Sequence, residues 1–289
     1  MELRDNCLKG IIKWAESVDH VQALIQTGSL ARQDNSSDDL SDIDIEIITS
    51  NPALLMQDGR WLYEFGELIT VLSFDPDEHQ EWATRLAIYS NGVKVDFTLA
   101  GIERVRHMAD EGILDDLYGR GYKILLDKSS VTQGIPAPAY KFPVRMLPSQ
   151  SEFTASVEEF WFEAFHIPKY LARGELWLVK LRDNTMKELL LCMLEWHALA
   201  RHSSAIDIWH NGLHVREWTA PQTWDELQST FGRFDASDAL RSFNAMTQLY
   251  GRLGREVAQY IGLDYPQECE TRITEINQTV LSQYMGWVF

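Results

Sequence analysis

Cysteine is scarce in this chain and shows no pattern. Cys7, Cys192 and Cys269 are odd in number and far apart, which excludes a disulfide framework and a cysteine-based metal cluster and points to a reducing, cytoplasmic setting. Long apolar runs are missing too. The stretch Met1-Glu2-Leu3-Arg4-Asp5-Asn6 is polar with no apolar run behind it, and no segment reaches the roughly 20 residues a membrane-crossing helix needs. Basic residues are the third deficit: 26 Lys and Arg stand against 43 Asp and Glu, a net charge of −17. That balance argues against a nucleic-acid backbone as the main partner, because binding phosphates calls for a positive surface. It is compatible with a cationic small molecule drawn to an acidic cleft, though charge taken alone reads first as a surface that solubilises the protein. His166, His197, His202, His210 and His214 share no ligand spacing, so no zinc site is read from them. Internal repeats, heptads and low-complexity tracts are absent.

What is present fills 289 residues, enough for one large or two medium domains. Residues 2–18 place Leu3, Cys7, Ile11 and Trp14 on one helical stripe. Val21 to Thr27 reads as a first strand that runs into Gly28-Ser29. Gln33 to Asp39 is polar and is expected to be mobile. Ile43 to Ile48 reads as a second strand. Asn51-Pro52 opens a short helix with Asn51 as its cap, and a helical piece follows near Asp58 to Phe65. Glu67 to Phe74 is a third strand. From Arg85 to Leu99, two β-rich runs flank Asn91-Gly92, a strong hairpin signal. Residues 101–118 are helical in pattern, and Tyr122 to Leu126 forms one more short strand.

Between Asp127 and Ser151 the chain carries Pro136, Pro138, Pro143 and Pro148, and this stretch marks the boundary between two halves. Beyond it only helices are predicted. One starts at a Ser151 cap and continues to about Arg173, kinked at Pro168 and stopped by Gly174. Trp177 to His202 is a second long helix, with shorter ones over Pro221–Phe231 and Ala236–Ile261. A last one opens at Pro266 and runs to about Tyr284. Trp161, Trp177 and Trp196 are expected in the core of this bundle rather than on a stacking surface.

The chemistry concentrates in Gly28-Ser29 and Asp42-Ile43-Asp44. Two residues apart on a strand, Asp42 and Asp44 point to one face, while Ile43, Ile45 and Ile47 point to the other. At ~4 Å and an effective dielectric of ~20, two such carboxylates repel by about 4 kcal/mol. A divalent cation relieves this, and hard oxygen ligands favour magnesium when a phosphate completes the shell. Alone, the pair reads equally as a charged strand edge. Asp96 lies between Val95 and Phe97 in the second arm of the hairpin, an unfavourable place for an aspartate. Its face is shared by Lys94 and Thr98. Asp38, Asp39 and Glu46 add negative charge nearby.

Gly28-Ser29, Asp42-Ile43-Asp44 and the later Asp96 together resemble the nucleotidyltransferase superfamily of the DNA polymerase β type. That pattern has Gly-Ser, a spacer of about a dozen residues, Asp-x-Asp on a strand, and a third acid on a later strand. Lys94-Val95-Asp96-Phe97-Thr98-Leu99 is similar to the Lys-[Ile/Leu]-Asp-Leu-Thr-Leu of bacterial aminoglycoside 6-adenylyltransferases (streptomycin adenylyltransferases). Glu159-Phe160-Trp161 resembles that family's Asn-Glu-Phe-Trp. Lys169-Tyr170-Leu171-Ala172-Arg173-Gly174-Glu175 resembles its Lys-Gly-Leu-x-Arg-x-Glu. The run Leu189 to His197 sits where the family has a Leu-Leu-Arg-Met…Trp helix. The chain departs from the pattern at Leu30, where Arg is usual, at Glu158, where Asn is usual, and at Ile43, where an aromatic stands.

The resemblance implies an α/β (α+β) fold. A nucleotidyltransferase domain with a mixed sheet flanked by helices would cover 1–135, and an all-α helical-bundle domain that binds substrate would cover 136–289. It implies transfer of AMP from ATP to an aminoglycoside hydroxyl, the 6-hydroxyl of streptomycin, with release of pyrophosphate and resistance to the drug. Asp42, Asp44 and Asp96 would be the catalytic and metal-binding residues, holding two Mg2+ ions. Asp96 would act as general base or as ligand of the second ion; both roles stay open. Gly28 and Ser29 would bind the phosphates, with Arg32 or Lys169 steadying the pyrophosphate. Glu159, with Asp96, would contact the cationic acceptor. The partners expected are ATP and an aminoglycoside, with no nucleic acid and no membrane, in a monomer or homodimer. Two alternatives keep fewer of these features: a nucleotidyltransferase acting on another small molecule, a protein or an RNA end, and an inactive nucleotide-sensing or interaction protein.

Overall fold

The computed structural model describes residues 2–34, 36–202 and 206–284. The chain divides into two compact units, residues 1–143 and 144–289, and each is described by itself. Among the described residues, no helix is long and apolar enough to cross a membrane.

The first unit is a six-stranded mixed sheet with helices on both faces. Helix α1 (Glu2–Ser17) leads into β1 (Val21–Gln26), then β2 (Ile43–Thr49), α2 (Pro52–Gln57) and a 3₁₀ segment (Gly59–Phe65). Strands β3 (Leu68–Phe74), β4 (Ala83–Tyr89) and β5 (Lys94–Gly101) follow, then α3 (Ile102–Glu111), α4 (Asp116–Arg120) and β6 (Lys123–Asp127). The spatial order is β3-β4-β5-β2-β1-β6. Every neighbouring pair is antiparallel except β2 and β5, which run parallel. A parallel pair needs a crossover rather than a tight turn, and here α2, the 3₁₀ segment, β3 and β4 supply it.

Side-chain alternation sorts β2 into two faces. Ile43, Ile45 and Ile47 are buried against Ile11 and Ala15 of α1 and against Trp61 and Phe65 of the 3₁₀ segment. An aromatic cluster closes this layer, with Trp14 stacked on Trp61 at 5.3 Å and Trp61 edge-on to Phe97 at 4.9 Å. The opposite face changes character along the strand, running Asp42, Asp44, Glu46, Ile48. Ile48 joins Ala23, Ile25, Ala100, Val105 and Met108 in a second core beneath α3. Glu46 sits one step earlier, with its side chain only 3% exposed. It accepts from the Tyr118 hydroxyl at 2.7 Å and from the Arg104 guanidinium at 3.3 Å. Arg104 also pairs with Asp115. The charge at Glu46 is therefore spent on fastening α3 and α4 to the sheet, rather than on raising a field at the acidic end.

The second unit is helical. It comprises α5 (Gln150–Ala164), α6 (Ile167–Ala172), α7 (Leu176–His202), α8 (Val215–Trp218), α9 (Pro221–Gln228), α10 (Ala236–Ile261) and α11 (Gln267–Tyr284). Its core joins Phe153, Val157 and Phe160 of α5 to Met186, Leu190 and Met193 of α7 and to Met246, Tyr250 and Leu253 of α10. Phe160 and Tyr250 stack with centroids 3.5 Å apart.

Several local expectations are corrected. The long helix predicted to Arg173 is two helices: α5 stops at Ala164, and Pro168 lies in the first turn of α6, where its missing N–H costs nothing. The cap of α5 is Ser149, not Ser151, in a reciprocal capping box with Glu152. Asn51 precedes α2 without a side-chain capping bond. The helical pattern over 101–118 breaks at Gly112, whose φ of 66° takes the left-handed conformation that ends α3. Trp161 is buried and Trp196 half-buried. Trp177, however, is 71% exposed on the first turn of α7, because that turn presents it away from the core. The stretch Gln33 to Asp39 contains Asn35, which lies outside the described residues. Around it, Asp34 accepts from the Ser36 amide and Asp38 from the Leu40 amide. Arg4 of α1 ties the loop down through the carbonyls of Asp38 and Ser41.

Breaking the buried pair tests this packing. Arg104→Met leaves the Glu46 carboxylate buried with its charge uncompensated, and should destabilise the first unit by about 3–5 kcal/mol in chemical unfolding. Adding Glu46→Leu to that variant should restore much of the loss. A cost under about 1 kcal/mol for Arg104→Met would show that the pair does not hold α3 and α4 in place.

Candidate active site

The parallel register of β2 and β5 places Asp44 directly across from Asp96. Both project to the same face, and Asp42 stands just before β2 on that face. Three carboxylates separated by up to 54 positions in sequence are thus gathered at one end of two neighbouring strands. Gly28 closes the cluster from β1. The Thr27 amide donates to the Asp44 carbonyl at 3.1 Å, and the chain then turns at Gly28 with φ 66°. A Cβ at Gly28 would stand 2.0 Å from Asp44 Oδ2. Only glycine lets the backbone pass this close to the carboxylate and take this φ without strain. Ser29–Ala31 forms a 3₁₀ turn, with the Ala31 amide donating to the Gly28 carbonyl. Ser29 is half-buried at its start. Arg32 follows, close enough for its charge to be felt at Asp44.

Lys94 is the residue of this cluster that sequence reasoning did not place in the site. Its ammonium donates to Asp42 Oδ2 at 2.8 Å and to Asp96 Oδ2 at 2.7 Å. The signal for it was present: Lys94 is two residues before Asp96 on a strand, hence on the same face. Partial burial works against its charge, but the two carboxylates outweigh burial and hold the ammonium above the usual lysine range. A second residue not anticipated is Lys123 of β6, whose ammonium donates to the Leu30 carbonyl and fastens the turn after Gly28.

The electrostatics remain unbalanced even with Lys94 in place. Burial, reinforced by the negative charge of Asp96, pushes the Asp44 carboxyl from 3.8 up to about 6. Asp96 Oδ1 is buried and accepts no hydrogen bond. A buried carboxylate oxygen without a donor is costly, and both features mark a face short of positive charge. Hard carboxylate oxygens are the donors a magnesium ion takes, so the residues present fit such an ion. Among the described residues, no group of three or more His, Cys, Asp or Glu is already arranged to hold one; the Lys94 ammonium stands between two of the candidates.

The structure thus brings together Gly28, Ser29, Arg32, Asp42, Asp44 and Asp96. Lys169 and Glu159 belong to the helical unit. Lys169 lies on α6 with its ammonium 3.3 Å from the centre of the Phe165 ring, a cation–π contact that accounts for its position locally. Glu159 is exposed on α5. The same unit holds a cavity of about 500 Å³ lined by Arg145, Glu195, Trp196, Trp209 and His210. There, burial pushes the Glu195 carboxyl upward while Arg145 opposes the shift.

The family profile described as streptomycin adenylyltransferase matches residues 1–280. The aminoglycoside 6-adenylyltransferase of Bacillus subtilis (strain 168) is 22% identical over 274 residues, spanning 91% of this chain and 94% of that protein. Among solved structures, an aminoglycoside 6-adenyltransferase from Bacillus subtilis aligns over 96% of this chain and 97% of its own, at 18% identity and a TM-score of 0.45. A nucleotidyltransferase-like protein from Exiguobacterium sibiricum 255-15 aligns over 98% and 90%, at 10% identity and a TM-score of 0.33.

The raised Asp44 carboxyl has a measurable consequence. Its pKa is about 6 in the folded protein against 3.8 ordinarily, so the folded state holds the proton longer than the unfolded chain. This group's contribution to stability therefore falls as pH rises through that interval, by about 2 kcal/mol once partial exposure is allowed for. Without nucleotide or metal, Asp44→Asn should gain stability over the unsubstituted protein between pH 4 and 7, in thermal unfolding. Parallel pH profiles for the two proteins would contradict the strain assigned to Asp44.

Proposed function

The chain belongs to the streptomycin adenylyltransferase family, and on that premise we propose that it transfers AMP from ATP to a hydroxyl of an aminoglycoside, with streptomycin at its 6-hydroxyl as the leading acceptor. The observation that carries the reading is the pairing of Asp44 with Asp96 across β2 and β5, beside the Gly28 turn. Nucleotidyl transfer needs reacting groups held in line and charge neutralised, with little covalent help from the protein. An acidic face at the end of two neighbouring strands, with a glycine turn against it, offers a fixed frame for the reacting groups and oxygen ligands for a neutralising cation.

In this mechanism Asp96 accepts the proton of the acceptor hydroxyl as its oxygen forms a bond to the α-phosphorus. The bond from the α-phosphorus to the oxygen that bridges to the β-phosphate breaks, and pyrophosphate leaves with that oxygen. Ser29 and the backbone after Gly28 hold the β- and γ-phosphates, and Arg32 offsets the charge that develops on the pyrophosphate. Lys169 is the alternative for that last role. Asp42 and Asp44 would hold magnesium, with Asp96 able to reach a second ion, and the metal supplies Lewis-acid neutralisation of the phosphates when bound. Glu159 is assigned to the ammonium or guanidinium groups of the acceptor. The net charge of −17 favours such a cationic acceptor over an RNA end.

Mass spectrometry of an aminoglycoside panel incubated with protein, ATP and magnesium tests the reading. Streptomycin should gain the mass of one AMP, and a panel left unmodified would reject an aminoglycoside acceptor. Asp96→Asn should fold normally and lower turnover by about 10²–10⁴-fold, the range for loss of a general base. Asp42→Asn should lower it together with the response to magnesium concentration. Unchanged turnover in both variants would remove the acidic face from the chemistry.

A further inference from the structure

Lys94 does more in this geometry than line the site. Its ammonium bridges Asp42 and Asp96 at 2.8 and 2.7 Å, and these are two of the three carboxylates assigned to the metal. A lysine so placed and a divalent cation compete for the same oxygens. Yet the lysine serves the face incompletely, because Asp96 Oδ1 stays buried without a donor. One monovalent charge on a flexible stem makes the acidic face tolerable and leaves it short of the charge a divalent ion would bring.

We propose that Lys94 is an internal counter-ion that holds the acidic face closed to metal alone and gives it up when metal arrives together with the nucleotide. This rests on the nucleotidyl-transfer reading given above. The side chain is about one-third exposed, so its ammonium is free to swing out of the carboxylate pair while its stem stays on β5. Entry of a metal without nucleotide must break both ion pairs of the Lys94 ammonium and returns that charge only to water. Entry with a triphosphate gives the displaced ammonium new anionic oxygens to bind, and the exchange of partners becomes favourable. Lys94 would then be a positioning residue that couples metal binding to nucleotide binding and steadies the phosphates once released. No covalent bond is made or broken in the exchange; only ion pairs are traded.

The test reads metal affinity, not turnover alone. Mn2+ binding to the full chain is measured by electron paramagnetic resonance or calorimetry, with and without a non-hydrolysable ATP analogue. The unsubstituted protein should bind Mn2+ weakly alone and at least tenfold more tightly with the analogue. Lys94→Met should bind Mn2+ without nucleotide about tenfold more tightly than the unsubstituted protein, and the gain from the analogue should shrink. Lys94→Arg keeps the positive charge and should resemble the unsubstituted protein without nucleotide. Lys94→Gln, measured in parallel, keeps the test open should methionine disturb β5, since a side chain kept only for folding would not tighten metal binding when removed. If the neutral variants bind Mn2+ no better than the unsubstituted protein, while that protein binds it with the analogue, the counter-ion role is overturned and the transfer reading stands. If no form binds Mn2+ under either condition, the metal-dependent reading itself fails, and the counter-ion proposal with it.

Discussion

Repulsion between Asp44 and Asp96, set opposite each other by the parallel register of β2 and β5, is the constraint around which the first unit is arranged. Ordinary sheets avoid like charges facing each other across strands. Here the pair is kept, and its surroundings manage it. Lys94 divides its ammonium between Asp42 and Asp96. The backbone at Gly28 passes so close to Asp44 that no Cβ fits. The rest of the strain is left standing, as a carboxyl at Asp44 pushed up to about 6 and an unsatisfied oxygen on Asp96. Stability given up at a site in this way is the usual mark of a place built to bind charge.

The sheet holds that arrangement because the same strands are anchored further along. One face of β2 passes from Asp42 and Asp44 to the buried Glu46 and then to Ile48. Each step lies deeper under α3. Glu46 is satisfied by Arg104 and Tyr118, so its charge fixes the strand rather than adding to the acidic end. The other face, from Ile43 to Ile47, packs on α1 and the aromatic cluster. Carboxylates that must be held steady thus project from strands buried on both sides over most of their length, which is how a site gains precise geometry.

Much of this was legible in the sequence, for a local reason. Alternation along a strand depends only on neighbouring residues, so Ile43, Ile45 and Ile47 could be separated from Asp42 and Asp44 by counting. The Asn91-Gly92 turn located β4 and β5 in the same way. What depends on pairing between distant segments was harder to see. The contact from Lys94 to Asp42 spans 52 positions, and that from Arg104 to Glu46 spans 58. Neither follows until β2 and β5 are known to be neighbours. In the helical unit, periodicity found the helices but not the break before Pro168 or the outward turn of Trp177, because a proline in a first turn and a tryptophan on an exposed face leave the local pattern unchanged. Lys169 and Glu159 were singled out by resemblance alone, and their local surroundings are a ring contact and an exposed helix face.

The central claim is that the acidic face directs chemistry to the α-phosphorus of ATP. Isotopic labelling tests it most directly. The protein is incubated with magnesium, streptomycin and ATP carrying the label on either the α- or the γ-phosphate, and the products are separated. Label from the α-phosphate should appear covalently on the aminoglycoside, while label from the γ-phosphate should leave entirely as pyrophosphate. Label from the γ-phosphate on the acceptor, or release of ADP in place of pyrophosphate, would contradict the claim.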